Sequence, residues 1–161
     1  MSAGLALFGL ANWAAGQSPA CTVQDVPAYR GLSLGMTRKQ LRAKLPGANP
    51  DGVLDRERLS RVQGFSGLTS LAYRVSAEDT LYEIDVRYAG LSGGMERLTR
   101  RVSRELGLPQ DAWVLTDARA AMTCLTFRVT VDARENGFTL SGLGSVEDRK
   151  NGSKKGKERP D

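Results

Sequence analysis

The chain contains no histidine, and this absence removes more chemistry than any other feature of its composition. Histidine is the usual general base of enzymes, the commonest metal ligand of proteins and the side chain that changes charge near neutral pH. The sequence also has only two cysteines, which cannot form a structural zinc site without histidine or further cysteines. We therefore expect no catalytic residue, no cofactor and no metal ligand, and we predict that the protein is not an enzyme.

Aromatic residues are also scarce. They make up 6% of the chain, while 18 of its 161 residues are glycine, so we expect a modest core with many turns. Apolar residues at 40% and charged residues at 25% are ordinary for a globular protein. This length suffices for one domain and leaves little room for a second, and a core of this size needs no metal to hold it together.

No apolar run is long enough to span a bilayer, but residues 1–20, MSAGLALFGLANWAAGQSPA, resemble an export signal. Residues 5–15 are apolar apart from Asn12, whereas a membrane span needs about 20 apolar residues. Small residues precede two candidate cleavage points, after Gly16 and after Ala20. The segment lacks a basic start, so a start further upstream or a buried N-terminal helix are alternatives. We predict that 1–20 is a signal peptide or an apolar N-terminal segment, and that the protein is periplasmic or extracellular.

Export would change the chemistry of the two cysteines, Cys21 and Cys124. In an oxidising compartment an isolated pair most simply forms a disulfide. This bridge would close a loop of about 100 residues, which is worth up to about 4.7 kcal/mol when treated as chain entropy. Two alternatives stay open. Cys21 could be the lipidated first residue of a lipoprotein, although the usual leucine three residues earlier is missing, or both thiols could be free.

The net charge of +5 is spread in mixed signs. Residues 145–161 hold six Lys or Arg against four Asp or Glu, and their Gly-, Ser- and Lys-rich composition predicts a disordered tail. A nucleic-acid-binding domain concentrates its basic residues on one face, so the mixed pattern in residues 21–144 favours a solvated surface and makes a nucleic-acid partner improbable.

Residues 31–47, GLSLGMTRKQLRAKLPG, predict a short strand followed by a helix. Leu32 and Leu34 alternate with small or polar neighbours, as in a half-buried strand. Thr37 can cap the helix, with Gln40 three residues later as its capping-box partner.

Further elements are predicted from residue 69 onward. Alternating apolar and polar residues indicate strands in 69–76, 81–90 and 124–133, with 77–80 as the turn of a hairpin. A second helix is predicted over about 92–106. It buries one apolar face, while Arg100, Arg101 and Arg104 point away from it.

The last predicted hairpin turns at Asn136-Gly137, the preferred dipeptide for a two-residue turn. This turn would pair Ala133 with Leu140 and Glu135 with Phe138. The strand before it would point Leu125, Phe127, Val129 and Val131 inward and would leave Cys124 on the opposite, more polar face. Together these elements predict an α+β fold in a single domain, 21–144, with two helices packed on one face of a small antiparallel sheet of three to five strands.

Three patterns resemble catalytic or metal sites, and we interpret each as structural. Gly31–Gly35 matches the G-x-S-x-G of a hydrolase, but Ser33 has no histidine as its base, and Lys39 and Lys44 lack the spacing of a Ser–Lys pair. The acidic cluster Asp51, Asp55 and Glu57 lacks the ligand spacing of a calcium loop. Glu83 and Asp85 share a strand face and are explained as exposed charges.

One motif carries a resemblance to a known family. The residues that match it are Leu34, Gly35, Met36, Thr37, Gln40, Leu41 and Leu45. They resemble the L-G-M-[ST]-x-x-[QE]-[VL] motif of small bacterial envelope proteins, best known in the outer-membrane assembly lipoproteins of the SmpA/OmlA (BamE) type. The resemblance implies a BamE-like two-layer sandwich and an envelope location. The wider layout, with LGLP at 106–109, also resembles a group of exported bacterial proteins of unknown activity.

These observations predict a non-catalytic exported module that binds a protein or another envelope component. BamE relatives bind partners and lipid through surfaces that have no match in this sequence, and membrane anchoring would require lipidation of Cys21. A small secreted enzyme inhibitor, or an enzyme that uses carboxylates, is the alternative. A nucleic-acid-associated protein is the third and weakest interpretation.

Overall fold

A computed structural model describes residues 21–46, 52–90 and 94–143. Their helices and strands follow one another along the chain as α1 (Arg38–Lys44), β1 (Val53–Asp55), α2 (Arg56–Ser60), β2 (Leu68–Val75), β3 (Leu81–Tyr88), α3 (Gly94–Leu106), β4 (Val114–Leu115), β5 (Arg119–Thr123), β6 (Phe127–Asp132) and β7 (Gly137–Gly142). The predicted signal segment 1–20, the tail 145–161 and Asp51 lie outside the described residues.

The strands form one seven-stranded antiparallel sheet in the order β1-β2-β3-β7-β6-β5-β4. The two-helix BamE-like α+β sandwich predicted from the sequence is therefore wrong, since most of the regular structure is sheet and the three helices are short. The error arose because β1, α2, β4 and β5 were not recognised. All four span five residues or fewer, which is too short for a clear periodic pattern, and β5 contains two alanines instead of the β-branched residues that mark a strand.

The first predicted hairpin is confirmed. Strand β2 pairs with β3, and Leu71, Tyr73, Ile84 and Val86 are buried on one face of the pair. The turn between the strands is closed by Asp79, whose N–H donates to the carbonyl of Ser76 at 3.0 Å.

The β6–β7 hairpin forms, but its turn lies earlier than predicted. Leu140 pairs with Val129 instead of Ala133, and Phe138 pairs with Val131 instead of Glu135. The Oδ1 atom of Asp132 accepts the backbone N–H groups of Arg134 at 2.9 Å and Glu135 at 3.3 Å, so the chain has already turned before Asn136. Because the register differs by an even number of residues, Leu140 still lies on the buried face.

Of the 31–47 motif, the described residues 31–46 form a helix but no strand. Leu32 is buried in a tight turn in which Tyr29 and Leu32 exchange backbone hydrogen bonds of 2.8 and 2.9 Å, so the strand predicted there is wrong. The capping box of Thr37 and Gln40 at the start of α1 is confirmed, with both reciprocal hydrogen bonds present. Leu41 and Leu45 are buried, which fixes α1 against the core.

The predicted amphipathic helix is confirmed as α3. Leu98, Val102 and Leu106 are buried along one face. Gly107 adopts a φ of +66°, which glycine tolerates without steric cost, and the N–H of Leu108 donates to the carbonyl of Ser103 at 2.8 Å. The helix therefore ends where the sequence predicted.

The predicted disulfide joins Cys21 to Cys124 across 103 positions of the sequence, with their Cα atoms 4.8 Å apart. Cys124 lies in the turn between β5 and β6 and is buried, so its prediction on a polar strand face is wrong. For the same reason Leu125 is 70% exposed instead of inward-facing. The bridge holds the N-terminal segment against this end of the sheet, where the Thr126 hydroxyl donates to the carbonyl of Gln24 at 3.2 Å.

The core lies on one side of the sheet. Its members include Leu41 of α1, Leu59 of α2 and Val102 of α3, which belong to the same apolar cluster as the inward-facing residues of the strands. The helices and the N-terminal segment thus cover one face, and no element of the described residues covers the other face, which carries the polar positions of every strand.

Candidate binding surfaces

The uncovered face of the sheet is organised by its register into three rows that run across the strands. The central row crosses all seven strands, because each of its members is the paired neighbour of the next. Its residues are Val53, Ala72, Asp85, Thr139, Thr130, Ala121 and Val114. None of them is buried, and the valines at its two ends are 59% and 47% exposed. At about 4.8 Å between strands the row is about 29 Å long.

Rows that hold most of the charged side chains of this face lie on both sides of the central row. One flanking row contains Arg74, Glu83, Ser141, Arg128 and Thr123, and the other contains Ser70, Arg87, Gly137, Asp132 and Arg119. Ion pairs join neighbours along these rows, between Arg74 and Glu83 at 2.9 Å and between Arg119 and Asp132 at 2.9 Å. The face is therefore a shallow trough of mostly small side chains, with Asp85 as its one charged member, between two rims that hold paired charges.

The rim near Asp132 adjoins a recess of about 490 Å³ that includes Arg87, Thr130 and Thr139 in its lining. The hydrogen bond from the Arg119 guanidinium lowers the pKa of Asp132, against the opposing effect of burial, and the N–H groups of Glu135 and Arg134 lower it further. The carboxylate thus stays ionised and closes the turn while it pairs with Arg119.

Asp132→Asn should make the free energy of unfolding depend less on pH in acid solution. The folded-state pKa of Asp132 lies below its unfolded value of about 3.9, so its contribution is present above that pH and is lost as the pH falls through the lowered value. Urea unfolding between about pH 5 and pH 3 should show a smaller loss for Asp132→Asn than for the wild type. Arg119→Ala should also reduce the loss, and an unchanged slope in both variants would contradict the assignment.

A second surface is the solvent-facing side of α3. Arg97, Arg100, Arg101 and Arg104 follow one another at the three- and four-residue spacing that places them on one side of a helix. They line a recess of about 480 Å³ together with Glu105. The sequence indicated that three of these arginines point away from the core; Arg97, which the prediction did not include, belongs with them.

Glu105 ties this helix to two other parts of the fold. Its Oε2 atom accepts the hydroxyl of Tyr88 at 2.9 Å, and its Oε1 atom accepts Nε of Arg101 at 2.8 Å. The guanidinium of Arg101 also lies 4.1 Å from the centre of the Tyr88 ring. Nη2 of Arg30, from the N-terminal segment, is 3.9 Å from Oε2.

Arg30 continues the network towards the loop after α2. Its Nη1 donates to the carbonyls of Gly64 at 2.8 Å and Ser66 at 3.0 Å, and its backbone has a φ of +51°. Burial is the main cause that raises the pKa of Tyr29 and Tyr88 well above the usual tyrosine value, and the Glu105 carboxylate raises both further. Both hydroxyls therefore stay protonated, and the cluster joins α3 to β3 through Glu105 and Tyr88.

Glu105→Ala should lower the free energy of unfolding by about 2 kcal/mol, because the partly buried Tyr88 hydroxyl and Arg101 lose their acceptor. The matched control is Glu96→Ala on the same helix, whose carboxylate is 85% exposed and pairs with Arg100, and which should cost about 0.5 kcal/mol or less. A double-mutant cycle of Glu105→Ala with Tyr88→Phe, measured by urea unfolding, should give a coupling of about 1 kcal/mol. Absence of coupling would contradict the role of Glu105.

The other sequence-predicted positions have structural surroundings. Ser33 lies in a turn, where its N–H points at the sulfur of Met36 at 3.3 Å. Asp55 caps α2 by accepting the N–H of Arg58 at 2.9 Å, and Glu57 pairs with Arg61, the residue that follows the helix.

Within the described residues, no three of the side chains that bind metals come together. Over the same residues, no helix has both the length and the apolar character needed to cross a membrane.

Comparison with protein-family models, curated proteins and solved structures finds no match for this chain. The resemblance of residues 31–47 to the BamE motif therefore stays a prediction about that segment alone. The fold that it implied is corrected by the seven-stranded sheet.

Proposed function

We propose that the protein is an exported, non-catalytic module that binds another protein through the central row of its uncovered sheet face. The observation that carries this proposal is the register that aligns a row of mostly small side chains, with Asp85 as its one charged member, across all seven strands between two charged rims. A trough of this kind can accept a segment that runs across the strands, with the exposed Val53 and Val114 as apolar contacts at its ends.

The charge of this face favours a protein partner. The rim charges already neutralise one another, as in the pairs Arg74–Glu83 and Arg119–Asp132, so the face selects no single sign of charge. Protein–protein interfaces are about as apolar as ordinary protein surface, whereas nucleic-acid interfaces are strongly positive. The enzyme inhibitor considered from the sequence would use the same face, with an enzyme as the partner.

Export is supported by the Cys21–Cys124 disulfide, since such bridges persist in oxidising compartments. The intact mass of the protein from its native host, with and without reductant, tests this location. A shortened chain that gains the mass of two hydrogen atoms on reduction would support export. A chain that starts at Cys21 with added acyl mass would make it a lipoprotein, and an uncut, reduced chain would overturn export.

Site-specific photo-crosslinking tests the sheet face. A benzoylphenylalanine placed at Thr130, in the middle of the central row, should give one discrete adduct in native-host cells, while the same group at Lys39 on α1 should give none. A blocking variant uses Ala121, the paired neighbour of Thr130. The long side chain of Ala121→Arg should fill the trough and abolish the adduct. No adduct at Thr130, or an adduct that survives Ala121→Arg, would overturn the proposal.

A further inference from the structure

The outer side of α3 carries a positively charged cluster made of arginine alone. Four of its thirteen residues are arginine and two are glutamate, and the apolar side chains Leu98, Val102 and Leu106 are all directed into the core. From Arg97 to Arg104 the charges extend about 10 Å along the helix axis. Arg104 forms no ion pair within the described part of the chain.

We propose that this arginine side of α3 is a docking surface for an acidic segment of a partner protein. The proposal goes beyond the function assigned to the sheet face, because it concerns a second surface and does not depend on binding at the first. Arginine rather than lysine occupies all four positions, and the planar guanidinium can form two parallel hydrogen bonds with a carboxylate.

The helix already pairs two of these arginines with its own carboxylates, each through one hydrogen bond. Glu96 pairs with Arg100 one helical turn away, and Glu105 pairs with Arg101 in the same way. The side chain of Glu96 is 85% exposed and that of Arg100 is 55% exposed, so this pair can exchange with carboxylates of a partner at small cost. An acidic segment with carboxylates one helical turn apart would reach Arg100 and Arg104 together.

Two other anionic partners fit this surface less well. Proteins that bind single-stranded nucleic acid stack bases on aromatic side chains, and α3 contains no aromatic residue. A helix that lies in a lipid interface inserts an apolar face, and the apolar face of α3 is already buried against β5 and β6. Carboxylates need only the guanidinium groups that this surface offers.

The test is fluorescence anisotropy of a labelled ten-residue oligoglutamate with the full chain at low salt. Arg100→Gln combined with Arg104→Gln should weaken binding about tenfold, since each exposed pair contributes a modest amount. The matched control, Lys39→Gln combined with Arg42→Gln, removes two positive charges from the exposed side of α1 and should change the affinity by less than about twofold. Binding should fall steeply with added salt.

Several outcomes would overturn the inference. Equal losses in the two double variants would show attraction by net charge alone. Tighter binding of inorganic polyphosphate, a single-stranded oligonucleotide or anionic phospholipid vesicles than of oligoglutamate would assign the surface to another anion. If the double variant on α3 does not fold, Arg104→Glu alone repeats the test. Thr130→Trp, which fills the central row of the sheet, should leave oligoglutamate binding unchanged, so failure of one proposal is distinguishable from failure of the other.

Discussion

Gly137→Ala should lower the free energy of unfolding by about 3 kcal/mol or more, although it adds a single methyl group. A Cβ atom at this position would lie 2.0 Å from the carbonyl oxygen of Val86 and 2.9 Å from Cδ of Arg87. The first contact is with the backbone of the neighbouring strand, so no side-chain rotation can relieve it. The methyl group can be accommodated only if β7 moves away from β3.

The close approach at Gly137 follows from the turn before it. Asn136 has a φ of +51°, donates its Nδ2 to the carbonyl of Tyr88 at 2.9 Å, and accepts the N–H of Tyr88 on its own carbonyl, also at 2.9 Å. These bonds bring the start of β7 tightly onto the end of β3, in the middle of the sheet. Separation there weakens the pairing that joins β1, β2 and β3 to the other four strands.

Thermal unfolding followed by circular dichroism measures the effect, which should appear as a fall in Tm on the order of 10 °C. Gly142→Ala at the other end of β7 is the matched control, because its Cβ would meet Leu34 and Tyr82 only at 3.9 Å. The control should stay within about 0.5 kcal/mol of the wild type or gain slightly from the loss of glycine flexibility. Equal stability of both variants would contradict the close β3–β7 approach at Gly137.

Local signals in the sequence predicted the elements that local interactions determine. The capping box of Thr37 depends on a residue three positions away, and the end of α3 depends on Gly107 next to the last turn. The strands β2 and β3 alternate between buried and less buried positions over 71–75 and 84–88, which is long enough to indicate a half-buried strand in each case. The Cys21–Cys124 bridge was predictable because only two cysteines exist.

The features that were predicted wrongly depended on interactions between distant parts of the chain. The Asn136-Gly137 dipeptide favours a two-residue turn, but the side chain of Asp132 closes a longer one, and Asn136 is held by Tyr88 of another strand. The same applies to Leu125, whose apolar character predicted burial although the turn places it in solvent. A pattern read along one strand cannot show a competing contact from elsewhere in the fold.

The candidate surfaces could be predicted only in part. The sequence showed which side of α3 is basic, because the apolar positions of a helix determine the opposite side. The central row depends on the register of six strand pairs at once, and a shift of one residue in any of them would break it. Small residues such as Ala121 and Thr130 carry no signal of their own until the register places them side by side.

Removal of the Cys21–Cys124 disulfide should lower the free energy of unfolding by about 4 kcal/mol. The bridge joins residues that are 103 positions apart. Closing so long a loop removes much of the conformational freedom of the unfolded chain. It also holds the segment that carries Tyr29 and Leu32, both fully buried, at the end of the sheet. Because domains of this size are stable by only about 5–15 kcal/mol, the loss should move the unfolding transition far towards lower urea.

Two urea titrations separate the contribution of the covalent link from that of the cysteine side chains. One uses the wild type with reductant, and the other uses Cys21→Ala combined with Cys124→Ala. Both should unfold at lower urea than the oxidised protein and with a larger m value, because the unlinked denatured chain exposes more surface. Reductant should leave the double variant unchanged. Any stability that the double variant loses beyond the reduced wild type reports the packing of the buried Cys124 side chain. If the reduced and oxidised proteins unfold at the same urea concentration, the bridge does not constrain the unfolded chain and the N-terminal segment is held by its packing alone.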